Sequence, residues 1–167
     1  MSAETTAITT PELKAKIGPA LGRVASGVFI VTVGSDDKKD GMMASWISQA
    51  GFEPPSLVVA VQKSRPIMKS LEVGHIFIVN VLSKRNLDIF KAFAKPHNEG
   101  KFEGIALLDQ VEEGPVFKDV VSYMVAKVKS VTDASDHVLV LGEIVDGALL
   151  NGDDEPMVHL RRDGFQY

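Results

Sequence analysis

Apolar residues along this chain fall mostly in short β-branched runs or alternate with polar ones, and only three stretches change to helical spacing. Residues 27–33, GVFIVTV, are dense in valine, isoleucine and threonine. The polar SDDKKDG beyond them closes on glycine, so a strand and a hairpin turn are expected there. Residues 42–49 read as the returning strand, ended by the prolines of FEPPS at 52–56, and residues 57–62 read as a buried strand. Strand-like runs recur at 75–82, 120–131 and 137–145, with a weaker one at 157–161. Pro11 opens the first helical stretch, which Leu13, Ile17, Leu21 and Val24 carry along one face to an end near Gly27. Pro66 opens a short second one, with Ile67, Met68 and Leu71 on its buried side and Gly74 as a left-handed cap. The third takes in Leu87, Phe90, Lys91, Phe93 and Ala94.

Strands outnumber helices and are joined mostly by hairpins, whereas a doubly wound parallel sheet would need a helix after nearly every strand. The expected fold is therefore mainly β with short helices, an antiparallel barrel. Residues 1–10 are small and polar and are expected to be loose or disordered. No repeat, low-complexity tract or linker divides residues 11–167, which are expected to form one domain.

Charge and composition narrow the chemistry. With 18 Lys and Arg against 22 Asp and Glu, the net charge of −4 offers no long-range attraction to a nucleic-acid backbone or an anionic membrane surface. Neither partner is expected. Cysteine is absent, which removes disulfides, thiolate metal ligands, iron–sulfur ligation and a cysteine nucleophile together. The N-terminus has no basic stretch followed by an apolar run, and no apolar run approaches the roughly 20 residues of a spanning helix. A soluble, cytoplasmic protein is expected.

The four histidines, His75, His97, His137 and His159, never pair at metal-ligand spacing on a helix, so no metal site is expected. The G-x-G-x-x-G and P-loop patterns are absent, and Ser26 and Ser45 lack the glycines of a nucleophile elbow. An enzyme without a nucleophile or a paired acid and base can still work when a cofactor supplies the reactive atom. Cofactor chemistry or pure binding is what this residue set leaves open.

Four segments carry more: GMMASWISQAGFEPPSLVVAVQKSR at 41–65, FIVNVLS at 77–83, FKAFAK at 90–95 with KFEG at 101–104, and SDHVLVLGEI at 135–144. In this order they resemble the flavin reductase family of FMN-binding split β-barrels, over roughly residues 21–167. Within it, MASWISQAGFEP and the closing HLRRDGFQY are similar to the flavin reductase-like domain of flavodiiron (diflavin) proteins. The resemblance implies an antiparallel FMN-binding split barrel, a homodimer, and hydride transfer from NADH or NADPH to FMN, with FAD as the other flavin. It also implies a flavodiiron or oxygenase partner as electron acceptor.

Carried over by position, Met43, Ala44, Ser45, Trp46 and Ile47 would meet the polar edge of the flavin ring through backbone groups and the Ser45 hydroxyl. Met43 stands where the family usually has threonine, and Trp46 where it often has serine, so one hydroxyl is lost and a bulky ring gained. Gln62, Lys63, Ser64 and Arg65 precede the Pro66 helix, whose free N–H groups and positive dipole end suit a phosphate. Asn80 is a polar residue amid an apolar strand; its amide would pair with the flavin or with neighbouring backbone. Phe93, Ala94, Lys101 and Phe102 match the family segment beside the flavin, with core packing as the competing explanation for the phenylalanines. His137 matches the histidine near the nicotinamide and is the candidate catalytic residue. His159, Arg161 and Tyr167 would close that site, from a partner subunit in one arrangement. The rival functions are a non-enzymatic FMN carrier or electron relay, and a cofactor-free interaction module.

Overall fold

The computed structural model describes residues 9–96 and 100–167. His97 and most of the N-terminal segment expected to be loose lie outside those residues. The described residues divide into two compact units, Gly27–Met157 and a smaller one of the segment up to Ser26 with Val158–Tyr167.

The larger unit is built on seven antiparallel strands: β2 (Phe29–Val33), β3 (Asp40–Ala44), β4 (Ile47–Phe52), β5 (Pro55–Gln62), β6 (Ile76–Val81), β7 (Ser122–Ala134) and β8 (His137–Leu149). Their spatial order is β3-β2-β6-β7-β8-β5-β4. β3 and β4 therefore sit at opposite edges, yet only Ser45 and Trp46 separate them in sequence. Three residue steps reach at most about 11 Å. The sheet must curl until its edges nearly meet, giving a barrel split between β3 and β4. This is the expected fold, with one correction: residues 42–49 are not one returning strand. β3 pairs with β2 as far as Ala44, and β4 begins a separate pairing at Ile47 with Val59, so the chain changes edge in between.

The alternation expected of a barrel is visible in what is buried. Val31, Val33, Leu57, Val59, Val61, Phe77, Val79, Ala126, Val128 and Val140, taken every second residue from five strands, form one core, closed by Ile67 and Leu71. Each fully buried side chain of this size contributes roughly 1.5–3 kcal/mol. Phe77 fills the barrel directly over Gly142, where a Cβ would lie 2.6 Å from its ring. The opposite faces of β2 and β6 carry Ile30, Thr32 and Asn80, and there a second core gathers Ile89 and Phe93 from α2 (Leu87–Ala94) with Phe102, Phe117 and Val120.

The Pro66 helix is shorter and tighter than expected, a five-residue 3-10 turn (Pro66–Ser70), although Gly74 does take the left-handed conformation at φ +91°. In the smaller unit α1 (Pro11–Leu21) stops before the expected end near Gly27. The Gly22 N–H caps the helix on the Gly18 and Ala20 carbonyls, and Val24 stands exposed beyond it. β1 (Ser26–Gly27) and β9 (Val158–His159) are two residues each and stand outside the large sheet, so the 157–161 run is mostly irregular. No helix among the described residues is long and apolar enough to cross a membrane.

Candidate functional site

Strand register brings the central candidates together. Gln62 lies opposite His137 at the end of the β5–β8 ladder. The Ala60 N–H donates to the Trp46 carbonyl at 2.9 Å, which anchors the link between β3 and β4 beside the same strands. The Trp46 and His137 rings consequently meet, with centroids 5.1 Å apart and planes inclined at 39°. His137 itself follows a two-residue hairpin turn, Ser135–Asp136, in which Ser135 adopts φ 68°.

Charge is arranged around this pair by the same turn. The His137 Nδ1 lies 2.9 Å from the Asp136 carboxylate, and that contact holds the Asp136 carboxyl below the usual range. Whatever stability the contact lends is present at neutral pH and lost as acid titrates Asp136 through its lowered pKa. Lys63 forms an ion pair with Asp133, whose carboxyl is lowered by the hydrogen bond and then by the ammonium charge. The Lys63 N–H donates to the Asp136 carbonyl at 3.0 Å. Ser64 and Arg65 are exposed on the next residues. For a phosphate, a five-residue 3-10 turn supplies no helix dipole of consequence, and Lys63 already has a carboxylate partner.

Other candidates go to the fold instead. Ala44 is buried in the barrel core and the Met43 side chain packs against the second core, so only their backbone is suited to a ring edge. Asn80 is fully buried; its Nδ2 donates to the Ile30 carbonyl and to Thr32 Oγ1, each at 3.2 Å, and its Oδ1 accepts from the Phe117 N–H at 3.1 Å. Its amide is committed to joining β2, β6 and the segment after α2. Phe102 stacks on Phe117 at 5.8 Å and meets Phe93 edge-on at 5.2 Å, which is core packing. Lys101, 8% exposed, donates to the Gly41 carbonyl at 2.6 Å and pairs with Asp40 at 2.8 Å.

A match to the profile of the flavin reductase like domain runs from residue 21 to residue 166. This chain belongs to that family. Diflavin flavoprotein A 1 of Synechocystis sp. is 33% identical over 158 residues, which are 93% of this chain and 28% of the relative. A diflavin flavoprotein A of Thermosynechococcus vestitus is 32% identical over 95% of this chain and 29% of its own length. The chain thus spans less than a third of the curated relatives it matches. The solved NADH:FAD oxidoreductase SgcE6 of Streptomyces globisporus, in complex with NAD and FAD fragments, superposes with a TM-score of 0.78 at 22% identity, covering 92% of each chain. At that identity the likeness is one of fold.

Two features of this flavin reductase-like domain escaped the sequence reading. Asp133 and Asp136 complete the charge pattern around Lys63 and His137; the DASDH run, folded back over a two-residue turn, was the available signal. Asp40 as partner of Lys101 was invisible because 61 positions separate them. Of the expected nicotinamide-side residues, His159, Arg161 and Tyr167 belong to the smaller unit. There Arg161 donates through Nη1 to the Gly164 and Gln166 carbonyls at 3.0 and 3.3 Å. A polar cleft of about 320 Å³ between Arg85, Asn86, Asp88, Asp119, Asn151 and Asp154 shares no residue with any of these candidates.

Proposed function

We propose that this domain binds FMN and catalyses its reduction by NADH or NADPH. The observation that carries the reading is the convergence, in a member of this family, of the β3–β4 edge, the Gln62–Arg65 turn and His137 at one end of the barrel. Bound FMN would supply a ring that accepts two electrons from the nicotinamide. The donor set fits such a group. β3 and β4 each have a single ladder neighbour, so the backbone groups of Met43–Ile47 that do not pair with β2 or β5 border the split, where N–H and C=O groups would read a ring edge. The Ser45 hydroxyl and the Gln62 amide add side-chain partners.

Arg65, Ser64 and Lys63 would hold the phosphate, with Lys63 exchanging its Asp133 partner for it. His137 would orient the nicotinamide. Alignment of the two rings does most of the work, and no acid or base residue is needed. A homodimer and an electron-accepting flavodiiron or oxygenase partner belong to the same reading; sedimentation at micromolar concentration reads the first.

Competing titrations of FMN and riboflavin test the phosphate assignment. FMN should bind more tightly by about 1 to 3 kcal/mol if charge-assisted bonds form. Replacing Lys63 and Arg65 together by Ala should erase the difference. Equal affinities in the unmodified protein would remove the turn from the site.

A further inference from the structure

The Gln62–Arg65 turn is fastened to the β7–β8 hairpin, which brings carboxylates to a place expected to receive an anion. Gln62 lies opposite His137, and the Lys63 N–H donates to the Asp136 carbonyl at 3.0 Å. The Lys63 ammonium then crosses to Asp133, on β7 before the turn. The hydrogen bond and the charge of Lys63 are the main causes that hold the Asp133 carboxyl low, so the pair is formed at neutral pH. Its side chains are 46% and 75% exposed. An ion pair that open to water adds little to the stability of a fold. Stability therefore does not account for a carboxylate placed on this cation.

We propose that Asp133 is a specificity-determining residue, which competes with the terminal phosphate of the flavin for Lys63. Its effect is to narrow the preference for FMN over riboflavin and to speed the release of FMN. The proposal rests on the phosphate assignment made above and adds to it a residue that opposes binding.

The carboxylate is tethered beside the ammonium, so it competes at a high effective concentration whatever the flavin level. The ammonium has three N–H donors and could bridge both anions, but only by holding carboxylate and phosphate within a few ångströms of each other. By either route Asp133 costs the phosphate part of its binding. Riboflavin has no phosphate and escapes the cost. Asp136 is the lesser competitor, because its carboxylate lies 2.9 Å from His137 Nδ1.

Asp133→Asn keeps the shape of the side chain and removes its charge. By calorimetry the variant should bind FMN about threefold to tenfold more tightly, from one exposed ion pair and one relieved repulsion, and riboflavin as before. Stopped-flow dissociation of FMN should slow by a similar factor. Glu143→Gln, which removes a carboxylate paired with Lys129 further along β8, should leave both affinities unchanged and so controls for net charge. In the unmodified protein, carboxyl NMR should show the Asp133 pKa rising toward its ordinary value when FMN saturates the site, and staying low with riboflavin.

An unchanged FMN affinity in Asp133→Asn would overturn the proposal, as would an equal gain for riboflavin, an equal gain in Glu143→Gln, or an Asp133 pKa that FMN does not move. Failure of the broader reading looks different. If neither the protein nor Asp133→Asn binds FMN in preference to riboflavin, the phosphate assignment and the competition fall together. If Asp133 has the expected effect but no nucleotide reduces the flavin, the competition stands and the reductase activity falls.

Discussion

Replacing Lys101 by Met should lower the unfolding free energy by about 3–5 kcal/mol, the usual cost of leaving one partner of a buried ion pair behind. The ammonium is almost wholly enclosed; it meets the Gly41 carbonyl at 2.6 Å and Asp40 at 2.8 Å, and it lies 5.6 Å from the Phe93 ring centroid. Methionine keeps the length of the side chain and removes the ammonium that makes these contacts. The Asp40 carboxylate would lose the ammonium while keeping the Gly41 N–H at 2.7 Å. Urea denaturation should show a lower midpoint with an unchanged slope. Adding Asp40→Asn should recover part of the loss, because the stranded charge is then gone. A loss below about 1 kcal/mol would mean that water or another cation reaches Asp40, and that the segment after α2 is not fastened to β3 through this lysine.

His137→Ala should leave the spectrum of bound flavin intact and slow its anaerobic reduction by NADH or NADPH about tenfold to a thousandfold, as expected for one or two lost polar contacts to the nucleotide. The ring stands at the first residue of β8, against Trp46 and beside Asp136, and its side chain is 13% exposed, so it is firmly placed without being sealed in the core. Stopped-flow reduction of the flavin-loaded variant isolates this step, since the measurement begins after flavin has bound. An unchanged rate with a lower melting temperature would make His137 a strand cap. Loss of the flavin itself would move it into the flavin site.

The strands were legible because β-branched runs and hairpin turns are local signals. Residues 57–62, 75–82 and the two long strands flanking Ser135–Asp136 all appear within a few residues of their expected limits. The change of edge at Ser45–Trp46 was not legible. Nothing local separates a continuous strand from two strands that pair with different neighbours, and only the register with β2 and β5 shows the break. Asn80 was recognisable as an anomaly but its role was not, because its partners Ile30, Thr32 and Phe117 come from distant parts of the chain. His137 and Trp46 were each picked out by family position, 91 residues apart, and no sequence pattern announces that their rings touch. The first helix was overextended because periodicity continued through Val24, while the Gly22 cap had already ended the helix.

Whether this domain reduces FMN is decided by anaerobic addition of NADH, and separately of NADPH, to the FMN-loaded protein while the visible spectrum is recorded. The long-wavelength flavin band should bleach with at least one of the two nucleotides, much faster than that of free FMN under the same conditions. A protein that takes up FMN but whose band persists with both nucleotides would contradict the reductase reading, and would make the domain a flavin carrier or relay.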